Sequence, residues 1–127
     1  MKIDASARYR SSHEFAKKEG ALIVAGISDH AQEALGDIVF VELPAVGKTF
    51  KQGEAFGVIE SVKAASDVYL PMAGTITEVN GNLEADPALV NREPHGGGWL
   101  IKFKAANPAD FNALLDAAAY ETEAAKE

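Results

Sequence analysis

The chain has 127 residues, 47% hydrophobic and 24% charged, which is ordinary for a globular protein and long enough to bury a core. Its net charge of −7 comes from 19 acidic and 12 basic residues, with no basic cluster longer than Lys17-Lys18, so we expect no nucleic-acid or membrane partner. The absence of cysteine excludes disulfides, thiol nucleophiles and thiolate metal sites. Dithiol chemistry would therefore require a prosthetic group.

No segment of the sequence is typical of export or membrane insertion. No apolar run approaches the roughly 18 residues that span a bilayer, and Met1–Ser6 lacks the apolar core and cleavage pattern of a signal peptide. We expect a cytoplasmic, bacterial protein with one domain over 1–127. Its predicted parts are an N-terminal strand and arm over 1–20, a core over about 21–104, and a C-terminal helix over about 107–120.

Four elements are predicted before residue 44. In chain order they are an edge strand running into a polar turn (Arg8–Gly20), a buried strand (Ala21–Ile27), a short helix through Leu35 and a strand closed by Pro44 (Asp37–Leu43). The helix has Ser28 or Asp29 as its N-cap, with Gln32 placed as in a capping box. Gly36 is expected to end the helix.

Two alternating runs flank Lys63. Phe56–Glu60 leads in and Val68–Met72 leads out, each with the period of a half-buried strand. A two-residue connection between such runs predicts a hairpin with Val62 and Lys63 at its tip, although the usual Asn-Gly turn signal is absent. A lysine at a turn with small residues after it suits covalent modification. An ordinary exposed lysine would look the same.

A short repeat surrounds this hairpin. Val41–Gly47 resembles Val68–Gly74, and Lys63 lies between the two copies. Short strands with proline and glycine between them favour a small sandwich or barrel, here with two similar halves. Chance similarity of two Leu-Pro turns is the alternative.

After residue 74 the sequence pattern predicts two strands and two helical segments. The first three are a strand (Thr75–Val79), one helical turn (Asp86–Asn91) and a last strand (Trp99–Lys104). A final helix begins at Asn107 with Pro108 in its first turn. We expect its apolar stripe to pack against the sheets and its end to fray after Tyr120; the stripe is Phe111, Leu114, Leu115 and Ala118.

No catalytic constellation stands out. The histidines His13, His30 and His95 are scattered and show no metal-ligand spacing. Gly96–Gly98 precedes a strand rather than a helix, so it is not expected to bind phosphate. We therefore expect a non-catalytic protein with no metal site.

Ordered blocks along nearly the whole chain carry a family resemblance. The blocks are His13–Phe15, Gly26–Gln32, Leu35–Val39, Leu43–Gly47, Glu60–Ser66, Pro71–Gly74, Val79-Asn80 and Gly98–Leu100. In these blocks the chain resembles the H protein of the glycine cleavage system, a lipoyl carrier. The family usually has Trp in place of Phe15 and Tyr in place of His95, departures that we expect to affect partner contacts rather than the assignment.

The resemblance implies that Lys63 is the site of covalent lipoate attachment. It also implies a mainly β fold, the lipoyl-domain-like barrel-sandwich hybrid, in which two small facing sheets have quasi-two-fold symmetry and short helices and a C-terminal helix are added. Biotin carriers share this fold but place their lysine between methionines, whereas Val62 and Ala64 stand here. Residues expected to serve attachment and recognition by the lipoate-attaching enzymes are Glu60, Ser61, Val62, Ala64 and Ala65. For Glu60, an ordinary exposed strand acid is the alternative.

The resemblance further implies a shuttle between enzymes. A monomeric carrier would take the aminomethyl group of glycine from a pyridoxal-phosphate glycine decarboxylase to a folate-dependent aminomethyltransferase, and a dihydrolipoyl dehydrogenase would reoxidise its dithiol. The cofactor would carry the chemistry. Two alternatives stay open, namely an H-like lipoate relay and an unmodified structural or interaction domain.

Three residues are expected to shelter the loaded arm. Carboxylates in a groove hold a protonated amine by charge-assisted hydrogen bonds while water is excluded. Glu14 belongs to a shared block, Asp67 lies four residues past Lys63, and Ser12 supplies a hydroxyl. The competing interpretation is that Asp67 only caps or solvates a strand end. Sequence position does not establish that Glu14 lies near Lys63.

Overall fold

A computed structural model describes residues 1–127 as nine strands in two sheets, with short helices at their ends. The strands are β1 Ala7–Tyr9, β2 Glu14–Glu19, β3 Leu22–Ile27, β4 Ile38–Glu42, β5 Thr49–Phe50, β6 Ala55–Ser61, β7 Ala65–Tyr69, β8 Gly74–Val79 and β9 Ile101–Ala105. The helices are α1 Asp29–Leu35, α2 Asn82–Ala85, α3 Leu89–Arg92, a 3₁₀ helix Pro108–Ala113 and α4 Ala117–Ala124. None of the helices is both long enough and apolar enough to cross a bilayer.

The two sheets enclose one main core. The larger sheet has the order β1-β2-β3-β9-β8-β5 and the smaller the order β4-β6-β7. Ile23 and Phe103 of the larger sheet and Ile59 and Val68 of the smaller sheet belong to the same buried apolar cluster. The sheets form a sandwich and do not close into a barrel, so the prediction of a mainly β fold with two facing sheets is confirmed.

The sequence repeat corresponds to equivalent structure. β4 and β7 both flank β6 in the smaller sheet, and a Leu-Pro turn follows each of them. After these turns the chain enters the larger sheet as β5 and β8, which pair with each other. The equivalence of the two copies favours two similar halves over chance similarity.

The prediction of an edge strand running into a polar turn over Arg8–Gly20 is confirmed for β1, but it misses β2, which follows the turn. β1 and β2 form an antiparallel hairpin, in which Tyr9 lies opposite Phe15. The chain reverses because His13 adopts a left-handed conformation with φ of 82°. Glycine or asparagine usually marks such a position, and neither occurs at residue 13, so no residue type indicates the turn.

The C-terminal prediction of one helix over 107–120 is wrong. Asn107 caps a helix as expected, but this 3₁₀ helix ends at Ala113 and Leu114 is extended. Leu115 then pairs with Tyr9 through two backbone hydrogen bonds of 2.8 and 3.0 Å. Asp116 caps a new helix, α4.

The second helix does not fray at the predicted point. α4 continues to Ala124, and Tyr120 is fully buried because its ring stacks on Tyr9 with 4.1 Å between the centroids. Of the predicted stripe, Phe111 and Leu114 are buried in the main core.

The chain between residues 80 and 105 differs in detail from its prediction. Helix α2 was not predicted, and α3 begins two residues after Pro87 rather than at it. The strand predictions around β3, β8 and β9 hold to within two residues at each end.

Candidate functional site: the Lys63 hairpin and the adjoining groove

Lys63 lies at the tip of the hairpin formed by β6 and β7. The Ser61 amide donates to the Ala64 carbonyl at 2.8 Å and closes the turn, which leaves Val62 and Lys63 between them. Val62, Lys63 and Ala64 are all exposed. The tip position predicted from the alternating runs is therefore the one that the chain adopts.

Ser61 holds the turn without an Asn-Gly pair. Its Oγ accepts hydrogen bonds from the backbone amides of Lys63 and Ala64, each at 3.2 Å. A serine hydroxyl that bonds its neighbouring backbone in this way stabilises a turn locally. The Val62 amide also donates to the Asp37 carbonyl at 3.0 Å, which joins the tip to the segment after α1.

The Lys63 side chain lies across the C-terminal end of α1. Its Nζ donates to the Ala34 carbonyl at 3.3 Å, where a cation is favoured by the partial negative charge of a helix end. Gly36 ends α1 with a φ of 80°, and a Cβ there would lie 2.8 Å from Lys63 Cε. The glycine thus provides both the left-handed helix end and the space that the lysine occupies.

A narrow groove of about 200 Å³ runs between α1 and β7 beside this tip. Its apolar lining comes from both elements and from the core below them: Ile27, Ala31, Ala34, Leu35, Ile59 and Val68. Its polar lining includes Ser12, His13, Glu14, Ser66 and Asp67. Because Ala34 both lines the groove and accepts from Lys63 Nζ, the lysine amine lies at the rim of the groove.

Glu14 lies in the interior of the groove and is only 3% exposed. One carboxylate oxygen accepts from the Tyr69 amide at 3.0 Å, and the other accepts from Ser12 Oγ, which itself accepts from Arg10 at 2.6 Å. Burial raises the pKa of Glu14 above its usual range, although the hydrogen bonds from Ser12 and Tyr69 favour the ionised form. The carboxylate is therefore held in place before any ligand arrives.

Asp67 differs from Glu14 in that it is exposed. It lies on β7, opposite Val58 of β6, and its carboxylate makes no hydrogen bond or salt bridge. Together the two carboxylates and the Ser12 hydroxyl make one groove acidic and rich in hydrogen-bond acceptors. Such a groove is suited to an extended arm that ends in a cationic amine.

Comparison with known proteins agrees with this geometry. Residues 7–127 match the family model described as Glycine cleavage H-protein. The chain belongs to the glycine cleavage H-protein family. It is 55% identical to the glycine cleavage system H protein of Laribacter hongkongensis over 95% of this chain and 96% of that protein. It is also 50% identical to the protein of that name from Bacteroides fragilis, over 95% of this chain and 96% of that one.

A solved structure supports the same assignment. The chain matches the crystal structure of a glycine cleavage system H protein from Mycobacterium marinum with a TM-score of 0.87 and 38% identity. The match covers 95% of this chain and 98% of that one. Membership of the H-protein family supports a lipoyl-carrying role within the glycine cleavage system.

The predicted recognition residues surround Lys63 on the exposed side of the hairpin. Glu60 lies opposite Ala65 in the β6–β7 register, and both are exposed. Val62 is the most exposed large hydrophobic residue, at 67%. Ser61 is half-buried because it closes the turn.

The two departures from the H-protein pattern are neighbours in the structure. The rings of Phe15 and His95 meet edge to face with 5.2 Å between centroids. Phe15 is fully buried, so any effect of this position on partner contacts would act through the packing beneath the surface, and the expectation stays a prediction. Burial also lowers the pKa of His95, which favours the neutral ring.

The expectation of scattered histidines fails for one pair. His13 and His30 stack with 4.5 Å between their ring centroids. The contact joins the turn between β1 and β2 to helix α1, so no local spacing in the sequence could have indicated it.

Proposed function

We propose that this chain is the lipoyl-carrying shuttle of the glycine cleavage system, with lipoate attached to Lys63 through an amide bond. The observation that carries the proposal is a lysine at an exposed hairpin tip whose amine lies at the rim of a groove containing two carboxylates. Family membership supports the same role.

The residues of the tip fit such a group. Val62, Ala64 and Ala65 are exposed and leave the amine open to an attaching enzyme, and Ser61 holds the turn that presents it. Only one weak contact, to the Ala34 carbonyl, has to be released before the amine can react. An amide at Nζ removes the positive charge and leaves one N–H donor. When bound, lipoate would supply the disulfide that takes up the aminomethyl unit on one sulfur, and it would be left as a dithiol once the unit is released.

The groove fits the arm by size and by charge. At about 200 Å³ it is smaller than most small-molecule pockets, which measure roughly 300–1,000 Å³, and this favours a slender chain. Its apolar lining is suited to the hydrocarbon part of the arm. Glu14, Asp67 and Ser12 are proposed to hold the protonated amine of the cargo and to keep it from water.

The remaining proposals concern the setting in which the chain works. It is itself non-catalytic, a monomer in the bacterial cytoplasm. Its partners are the pyridoxal-phosphate glycine decarboxylase, the folate-dependent aminomethyltransferase, dihydrolipoyl dehydrogenase and the enzymes that attach lipoate. The acidic surface implied by the net charge of −7 suits docking onto basic patches of such enzymes.

The test is transfer in a reconstituted system. Glycine decarboxylation is measured with lipoylated parent protein, with Lys63→Arg and with the matched control Lys51→Arg, an exposed lysine in the turn before β6. Lys63→Arg keeps the charge but removes the acylable amine, so it should fold normally and lose all carrier activity, while the control keeps it. A fully lipoylated parent that fails to support decarboxylation would reject the shuttle and favour the lipoate relay.

A further inference from the structure

Three side chains with metal-binding atoms converge on one face of the molecule, outside the hairpin. His13 comes from the turn before β2, His30 from helix α1 and Glu127 from the residues after α4. Their ligand atoms all lie within 4.8 Å of one another. His13 Nε2 is 2.8 Å from one carboxylate oxygen of Glu127, and His30 Nε2 is 3.8 Å from the other.

Hydrogen bonds on the side of the ring away from Glu127 fix the orientation of the His13 imidazole. Its Nδ1 lies 2.7 Å from the hydroxyl of Tyr120, and that hydroxyl lies 2.7 Å from Ser28 Oγ. Tyr120 and Ser28 are both fully buried. Histidines that bind metals usually hydrogen-bond through the other ring nitrogen, which sets the tautomer and the ring direction. His13 has this arrangement, with Nε2 turned toward the other two ligands.

The backbone at His13 adds to this constraint. Its φ of 82° lies in the left-handed region, which a residue with a Cβ adopts at a cost. The turn is held by hydrogen bonds on both sides, from the His13 amide to the Arg10 carbonyl and from the Ser28 amide to the His13 carbonyl. The imidazole is therefore presented from a rigid position.

We propose that His13 Nε2, His30 Nε2 and the Glu127 carboxylate form a binding site for a divalent transition metal ion of the zinc type. Two imidazoles and one carboxylate are a ligand set that Zn²⁺ takes with a fourth position open to water. Bonds of about 2.0–2.1 Å to tetrahedral zinc place ligand atoms roughly 3–3.5 Å apart. To reach this geometry the 2.8 Å contact would widen slightly and the longer separations, 3.8 Å and up to 4.8 Å, would shorten; the 52% exposure of the Glu127 side chain leaves room for this movement.

The ion would connect three segments, two of which, the turn at His13 and helix α1, line the groove. His13 also lines the groove, next to Ser12 and Glu14. A metal bound to His13, His30 and Glu127 would join the residues after α4 to helix α1 and to the turn that carries Ser12 and Glu14. Metal binding should therefore raise the thermal stability of the folded state.

The test uses unlipoylated protein, because a dihydrolipoyl dithiol would bind Zn²⁺ itself. The Lys63→Arg chain serves as the parent and is titrated with zinc chloride by calorimetry, and its melting temperature is measured with and without Zn²⁺. We expect one bound Zn²⁺ per chain and a higher melting temperature. In this background, His30→Ala and Glu127→Ala should each weaken binding by roughly tenfold or more and remove the thermal shift.

Glu123→Ala is the matched control. It deletes an exposed carboxylate of α4 that lies outside the cluster, and it should bind Zn²⁺ as the parent does. Glu127 is exposed and lies outside the helices and strands, so a loss of binding in Glu127→Ala would not reflect misfolding. Equal affinity in the parent, His30→Ala and Glu127→Ala, or no binding to the parent at all, would overturn the proposal. The cluster would then be a pair of histidine–carboxylate contacts only.

Discussion

The hairpin tip and the groove beside it are built in opposite ways. The turn at the tip is closed by its own residues, since Ser61 bonds the amides of Lys63 and Ala64, and a single further bond joins Val62 to Asp37. Val62, Lys63 and Ala64 are exposed. The groove depends on a contact between residues 55 positions apart, from the Tyr69 amide to the buried carboxylate of Glu14. Changes at the tip should therefore alter function alone. Changes at the buried carboxylate should alter function and folding together.

Among the single substitutions, Glu14→Ala is expected to have the largest effect on the stability of the fold. The substitution leaves the Tyr69 amide without its acceptor, so the free energy of unfolding should fall by about 1–3 kcal/mol. Because burial raises the pKa of Glu14, the stability linked to its proton is present at low pH and is lost as the pH rises through that pKa. Denaturant unfolding should show a larger loss at pH 4 than at pH 7.

Asp67→Asn is the matched control for that measurement. It removes the charge of an exposed carboxylate in the same groove, so its free energy of unfolding should change by no more than about 0.5 kcal/mol. Both variants should shorten the lifetime of the aminomethyl-loaded form when no partner enzyme is present. If neither shortens it, the carboxylates do not shelter the arm. If Asp67→Asn destabilises as much as Glu14→Ala, burial of the Glu14 carboxylate is not what couples the groove to folding.

A smaller effect is expected at the tip for Glu60→Ala. Glu60 is exposed and its carboxylate makes no hydrogen bond or salt bridge, so the melting temperature should stay nearly unchanged. If the attaching enzyme recognises this carboxylate, the rate of lipoylation should fall, as measured by the time course of intact mass. Equal rates for variant and parent would mean that Glu60 is an ordinary strand acid.

The difference between the two regions also explains what the sequence could predict. The strands around Lys63 follow from alternating side chains, and the tip follows from the short connection between them, because both are local patterns. Of the groove carboxylates, Asp67 follows from its position four residues past Lys63, whereas Glu14 follows only from a block shared with the family, since no local pattern relates Glu14 to Asp67. The structure now places both in the groove.

The features that the sequence did not reveal, namely the break in the C-terminal helix, the N-terminal hairpin and the contact of His13 with His30, have the same physical origin: each depends on residues distant in the chain or on an unusual backbone conformation. The cap at Asn107 was visible in the sequence, but the break after Ala113 comes from the pairing of Leu115 with Tyr9 across the length of the chain. The N-terminal hairpin depends on a left-handed histidine, His13, where glycine would have been the signal. The meeting of His13 with His30 follows from that turn and was equally hidden.

The most direct test of the central claim is to map the lipoyl group on the protein after enzymatic attachment in the cell. Peptide mass spectrometry should find the lipoyl mass on the peptide that contains Lys63 and on no other, and Lys63→Arg should carry none. This result is expected because Lys63 is presented on an exposed, self-supported turn. Lipoyl mass on a different lysine, or a parent protein that stays unmodified beside active attaching enzymes, would contradict the account.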